Sequence, residues 1–194
     1  MDEIPWLDDT ARAAIKDVAT VTSDGRPLGS GIEGVLTFAP VVHSDHRGRV
    51  FEVYPGESEF WDEPMVYCYA WSVRPGMVKG WGLHVEKCDR YTLIRGEVIT
   101  VLCDARRDSP TQGVVQKVML SEQGTRQLRI PVGVWHMNVN VGESEAHLIN
   151  HPTRAYRHGN PDRLLLPWDT SEIPFDLRSL FPVQLTSTDC CGHE

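Results

Sequence analysis

Two stretches of the chain carry histidines in a setting suited to proton or metal chemistry. The first reads Gly76-Met77-Val78-Lys79-Gly80-Trp81-Gly82-Leu83-His84-Val85-Glu86-Lys87-Cys88-Asp89, and the second Ile130-Pro131-Val132-Gly133-Val134-Trp135-His136-Met137-Asn138-Val139-Asn140. Alternating residues of a strand point to one face, so these stretches, with a residue on a returning strand, can converge inside a small barrel. Two chemistries fit. An imidazole exchanges a proton near physiological pH. Alternatively, His84, Asp89 and His136 make a two-histidine, one-carboxylate face for a divalent metal.

Positioning such residues requires a rigid frame, and the chain between residues 35 and 150 supplies one. Strands are predicted at Val35–Phe38, Arg49–Tyr54, Val66–Val73, Asp89–Ile94, Val98–Cys103, Val114–Leu120, Gln127–Ile130, Trp135–Val141 and Ala146–Ile149. Turn residues such as Pro55-Gly56, Arg74-Pro75-Gly76 and Glu122-Gln123-Gly124 divide them. Many short strands at nearly regular spacing mean a sandwich or barrel. Upstream, Leu7, Ala11, Ala14, Ile15 and Val18 recur at helical spacing behind Asp8-Asp9-Thr10, which predicts a helix over residues 7–19. After residue 150 the chain is proline-punctuated, with at most a short helix near Pro174–Leu180. The expected organisation is a helix and linker over 1–34, an all-β barrel over 35–150, and a segment over 151–194 packed on that barrel.

Composition excludes some function classes. The 194 residues carry 19 Lys and Arg against 27 Asp and Glu, a net charge of −8. That balance argues against general nucleic-acid binding but allows an anionic small ligand in an arginine-lined cleft. No apolar run is long enough to cross a bilayer, so no membrane partner is expected. The start MDEIPWLDD lacks the basic and apolar regions of an export signal, and the five cysteines show no paired C-x-x-C spacing. A cytoplasmic protein is the expectation.

The two histidine stretches together resemble the cupin motifs, G-x5-H-x-H-x4-E-x6-G and P-x-G-x2-H-x3-N, with Gly82 in place of the first histidine and Asp89 at the glutamate position. The resemblance implies a double-stranded β-helix, or jelly roll. Further segments resemble the dTDP-4-dehydrorhamnose 3,5-epimerase branch. They are Asp45-His46-Arg47-Gly48-Arg49-Val50-Phe51-Glu52, Gly82-Leu83-His84, Arg95-Gly96-Glu97-Val98, Asp104 through Thr111, Ile130 through His136, and Leu185-Thr186-Ser187-Thr188-Asp189.

That resemblance implies a cofactor-independent sugar-nucleotide epimerase with no metal. It implies His84 as catalytic base, Asp189 as the aspartate supporting it, and Tyr156 as the acid. Lys79, Arg90 and His136 are candidates for stabilising an enolate, and Arg47 for the nucleotide phosphates. The same resemblance implies a homodimer in which a partner strand completes the site. The chemistry agrees: hydrogens beside a sugar 4-keto group are acidic, and inversion needs a base on one face and an acid on the other. The sequence departs from the family where Trp81 replaces an arginine before Gly-Leu-His and where Tyr156 lies in an altered segment. Two other readings stay open. One is a metal-dependent isomerase or oxygenase using His84, Asp89 and His136; the other is a non-catalytic cupin that binds a sugar nucleotide. Trp71, Trp81 and Trp135 are expected in the barrel core.

Overall fold

A computed structural model describes residues 31–181 together with Asp17, Ala19 and Ser23. The expected helix over residues 7–19 and the segment containing Asp189 lie outside the described residues. Among the described residues there are twelve strands, all in the unit that begins at Gly31.

Two five-stranded antiparallel sheets form the frame. The first has the order β1 (Leu36–Phe38), β9 (Gln127–Ile130), β6 (Asp89–Arg95), β11 (Ala146–Asn150) and β4 (Tyr69–Val73). The second has the order β12 (Leu164–Leu165), β5 (Val78–Leu83), β10 (Val134–Val139), β7 (Glu97–Asp104) and β8 (Val115–Ser121). A separate hairpin joins β2 (Val42–Asp45) to β3 (Gly48–Phe51). This is the jelly-roll architecture that the strand spacing and the motif resemblance lead one to expect. Among the described residues no helix is long and apolar enough to cross a membrane.

Strand alternation sorts the side chains into three layers. Leu93, Leu102, Leu120, Leu128 and Leu148 fill the space between the sheets with almost no solvent exposure. On β7 and β10 the intervening residues Val101, Cys103, Met137 and Val139 face outward and form a second apolar cluster with Trp81. Leaving that face bare would expose a large apolar patch. Ile173, Leu166, Phe175, Leu177 and Leu180 cover it. The helix expected near Pro174–Leu180 is a single 3-10 turn, Leu177–Leu180, capped by the Asp176 carboxylate accepting from the Arg178 backbone N–H.

Two irregular features shape the interior. Gly96 turns the β6–β7 corner at φ +88°, where a Cβ would lie 2.8 Å from the Ala146 Cα. On β5, Gly82 and Lys79 lie three residues apart, yet they face His136 and Asn138, only two apart on β10. The extra residue is a β-bulge, which reverses the facing of everything on one side of it. Through it Lys79 shares the inward face with Gly82 rather than with Trp81.

Candidate active site

A cavity of about 420 Å³ opens between the sheets and is lined by Lys79, His84, Lys87, Asp89, His136, Tyr156 and Arg163, with Tyr67, Tyr69, Trp71, Tyr91 and Asn138. His136 and Asn138 reach it because the apolar Met137 and Val139 take the outward positions of β10. Asp89 and Tyr91 reach it by the same alternation on β6. Tyr67, Tyr69 and Trp71 do so from β4 and its approach.

Asp89 is the centre of the site. Its Oδ2 lies 3.3 Å from His84 Nε2 and 3.7 Å from His136 Nε2. Tyr91 Oη donates to that same oxygen at 3.2 Å. Its Oδ1 accepts from Asn150 Nδ2 at 2.8 Å and lies 4.0 Å from Lys87 Nζ. Burial on its own would raise the Asp89 carboxyl. The His84 hydrogen bond and the charge of Lys87, with those that His84 and His136 carry when protonated, outweigh it and hold Asp89 well below the usual carboxylate range. The result is an ionised carboxylate with 2% exposure, held by hydrogen bonds from Tyr91 and Asn150 and by the nearby Lys87 ammonium.

Both histidines are fixed from behind. His84 Nδ1 meets the Asp162 backbone carbonyl, while the Asp162 carboxylate accepts from the Val85 and Glu86 backbone N–H groups at 2.9 and 3.0 Å. His136 Nδ1 lies 3.3 Å from the Val134 carbonyl. These carbonyl contacts fix the two rings so that each Nε2 is directed at Asp89. Burial lowers His136 to about 4, helped by the charges of His84 and Arg163 and opposed by Asp89. His136 is therefore neutral at physiological pH. Burial and the Asp89 charge push Tyr69 up to about 12 and hold Tyr91 well above its ordinary value, so both phenols stay protonated donors.

The residues singled out in the sequence divide into three groups. His84, Asp89, His136, Lys79 and Tyr156 line the cavity. Arg90 does not. Following Asp89 on β6, it points to the opposite face, where its guanidinium donates to the carbonyls of His151, Glu63 and Pro64 and stacks 4.8 Å from the Trp61 ring. It ties a loop to the sheet and reaches no ligand from there. Arg47 sits at the tip of the β2–β3 hairpin, paired with Asp45 and 78% exposed, away from the cavity lining of its own chain. Asp189 lies outside the described residues. Trp81 is core, as expected, but Trp71 lines the cavity and packs edge-on against Tyr91.

Sequence reasoning missed Asp162, Arg163, Asn150 and the tyrosines of β4 and β6. The alternation Tyr67-x-Tyr69-x-Trp71 was a usable signal for one aromatic inward face. Asp162 was not legible, because it holds His84 through a backbone carbonyl.

Residues 30–189 match the model of the dTDP-4-dehydrorhamnose 3,5-epimerase family. The probable low-salt glycan biosynthesis epimerase of Haloferax volcanii is 34% identical over 140 residues, covering 70% of this chain and 87% of its own. The spore coat polysaccharide biosynthesis protein of Bacillus subtilis is 30% identical, covering 77% of this chain and 99% of its own. The crystal structure of a dTDP sugar isomerase from Desulfovibrio desulfuricans superposes with a TM-score of 0.69 at 27% identity, covering 75% of this chain and 91% of that one. With this match over most of its length, and with a histidine, a tyrosine and a lysine around one cavity, the chain belongs to the dTDP-4-dehydrorhamnose 3,5-epimerase family of sugar-nucleotide epimerases.

Proposed function

We propose that the chain inverts C3, C5 or both in a dTDP-4-keto-6-deoxyhexose, with His84 as the base. The observation that carries this reading is that His84 Nε2 borders the cavity and the ionised Asp89 carboxylate together, 3.3 Å from Oδ2. A proton taken at Nε2 creates an imidazolium, and the adjacent carboxylate stabilises that charge. The electron pair of the broken C–H bond moves into the ring, and the keto oxygen becomes an enolate. Lys79, aimed inward by the bulge, supplies the cation that the enolate oxygen needs, and His136 is a neutral neighbour. Tyr156 returns a proton to the opposite face, then regains one from solvent, as His84 loses its own.

Asp189 remains a proposed support for His84, and Arg47 a proposed phosphate contact in a cytoplasmic homodimer. The β2–β3 hairpin supports the dimer, since Val41 and Val50 expose 73% and 65% of their surface there. Light scattering should give about twice 21.9 kDa. A monomer at micromolar concentration would remove Arg47 from the site.

The direct test is incubation with a dTDP-4-keto-6-deoxyhexose in deuterium oxide. Exchange at C3 or C5 is expected, and His84→Ala should abolish it. Persistence of exchange in His84→Ala would sink the proposed base.

A second reading rests on one observation: His84 Nε2, His136 Nε2 and an Asp89 oxygen all lie within 4.8 Å of one another and are buried. With both Nδ1 atoms engaged by carbonyls, three acceptors converge, and this donor set fits a divalent cation. The cation would act as a Lewis acid toward the keto oxygen. One equivalent of metal per chain on elemental analysis, with exchange lost on its removal, would favour this reading over the metal-free one.

A further inference from the structure

The cavity carries a charge opposite to that of the chain. Among the described residues its lining holds three cations, Lys79, Lys87 and Arg163, against one carboxylate, Asp89, in a chain of net charge −8. Asp89 is already matched by Lys87, whose Nζ lies 4.0 Å from Oδ1. The remaining positive charge, on Lys79 and Arg163, has no counterpart among the described lining residues, so the cavity favours an anionic ligand.

Arg163 is the cation best placed to meet that anion. Pairing of Leu164 and Leu165 with Leu83 and Gly82 sets it beside the end of β5. There it lies against Gly82: a Cβ built on that glycine would come within 3.6 Å of Arg163 Nε and 3.3 Å of His136 Nε2. The bare glycine therefore leaves the lane that the guanidinium enters. Among the described residues Arg163 makes no ion pair within 4 Å, whereas Arg47, Arg106, Arg129, Arg154 and Arg157 each have an acidic partner. Its charge is felt at both His136 and Tyr69. Trp81, at the position where related chains carry an arginine, is 2% exposed in the outward cluster and cannot serve.

We infer that Arg163 binds the diphosphate of the nucleotide sugar and supplies from β12 the guanidinium that β5 lacks. A planar guanidinium can donate two parallel hydrogen bonds to phosphate oxygens, which a point-charge ammonium cannot. This rests on the epimerase reading for the identity of the ligand.

The probe is dTDP, titrated calorimetrically into wild type, Arg163→Ala, Arg163→Lys and an exposed control, Arg107→Ala. Arg163→Ala should weaken dTDP binding about 10- to 100-fold, the usual loss for hydrogen bonds to a charged group. Arg163→Lys should recover only part of that loss, Arg107→Ala should stay within about twofold, and thymidine affinity should not change. With substrate, Arg163→Ala should raise KM by a similar factor at nearly constant kcat. Unchanged dTDP affinity in Arg163→Ala, or a loss in kcat alone, overturns the inference while leaving the epimerase reading intact. Arg163-dependent dTDP binding without proton exchange in the wild type would do the reverse.

Discussion

His84 and Asp89, five residues apart in the chain, face each other across the mouth of the β5–β6 turn with 3.3 Å between Nε2 and Oδ2. Because Asn150 and Tyr91 hold the carboxylate, removing its charge should disturb the imidazolium without collapsing the cavity. Asp89→Asn is expected to slow deuterium exchange by ~10²–10⁴-fold, with dTDP affinity nearly unchanged. Added formate should restore part of the rate in Asp89→Gly. Full exchange activity in Asp89→Asn would show that His84 needs no carboxylate here.

Tyr156 separates the two halves of the reaction. Tyr156→Phe leaves His84 free to take a proton and give it back on the same face. Solvent deuterium should still enter the keto sugar within about tenfold of the wild-type rate, while inverted product falls by at least ~100-fold. Equal loss of both signals by NMR would assign Tyr156 a binding role instead.

Stability should respond to His136. Its folded value, about 4, lies below the ordinary 6.5 of a histidine. Below pH 6.5 the unfolded chain binds the proton and the folded chain does not, so stability falls from about pH 6.5 toward pH 4. Thermal melts should lose several degrees across that window, at roughly 2–4 °C per kcal/mol for a domain of this size. His136→Gln should flatten the decline there and keep the steeper loss below pH 4, where the unfolded chain takes up protons that the lowered Asp89 and Asp104 carboxyls still refuse in the fold.

Gly96 is a structural control remote from the chemistry. Its φ of +88° and the 2.8 Å approach of a built Cβ to Ala146 make any side chain both strained and crowded. Gly96→Ala should cost about 2–4 kcal/mol in denaturant unfolding. A loss under about 0.5 kcal/mol would mean that the corner relaxes.

Much of the frame was legible because its signal is local. Gln127–Ile130 is a strand with the bounds that its flanking turns suggest, and the inner strands follow the runs of β-prone residues. Leu164–Leu165 gave no such signal. Two exposed leucines between Pro161 and Pro167 have no periodicity, and only pairing with β5 makes them a strand. The site was half legible. His84 and His136 came from motif spacing and Lys79 as a cation just upstream of Gly82, but Arg90 was misjudged because its neighbour Asp89 already occupies the inward face. Arg163 and Asp162 follow from tertiary placement alone, which no local pattern encodes.

The bulge on β5 makes the cavity's charge a matter of counting as well as of residue type. Deleting Gly80 or Trp81 would restore plain alternation and leave Lys79 two residues from Gly82, still facing the cavity, while His84, downstream, kept its register. Losing the bulge at unchanged chain length would instead turn Lys79 to the outer face and put Gly80 where the lysine now enters. An alignment that permits no gap at this point would match lysines that face opposite sides of the sheet.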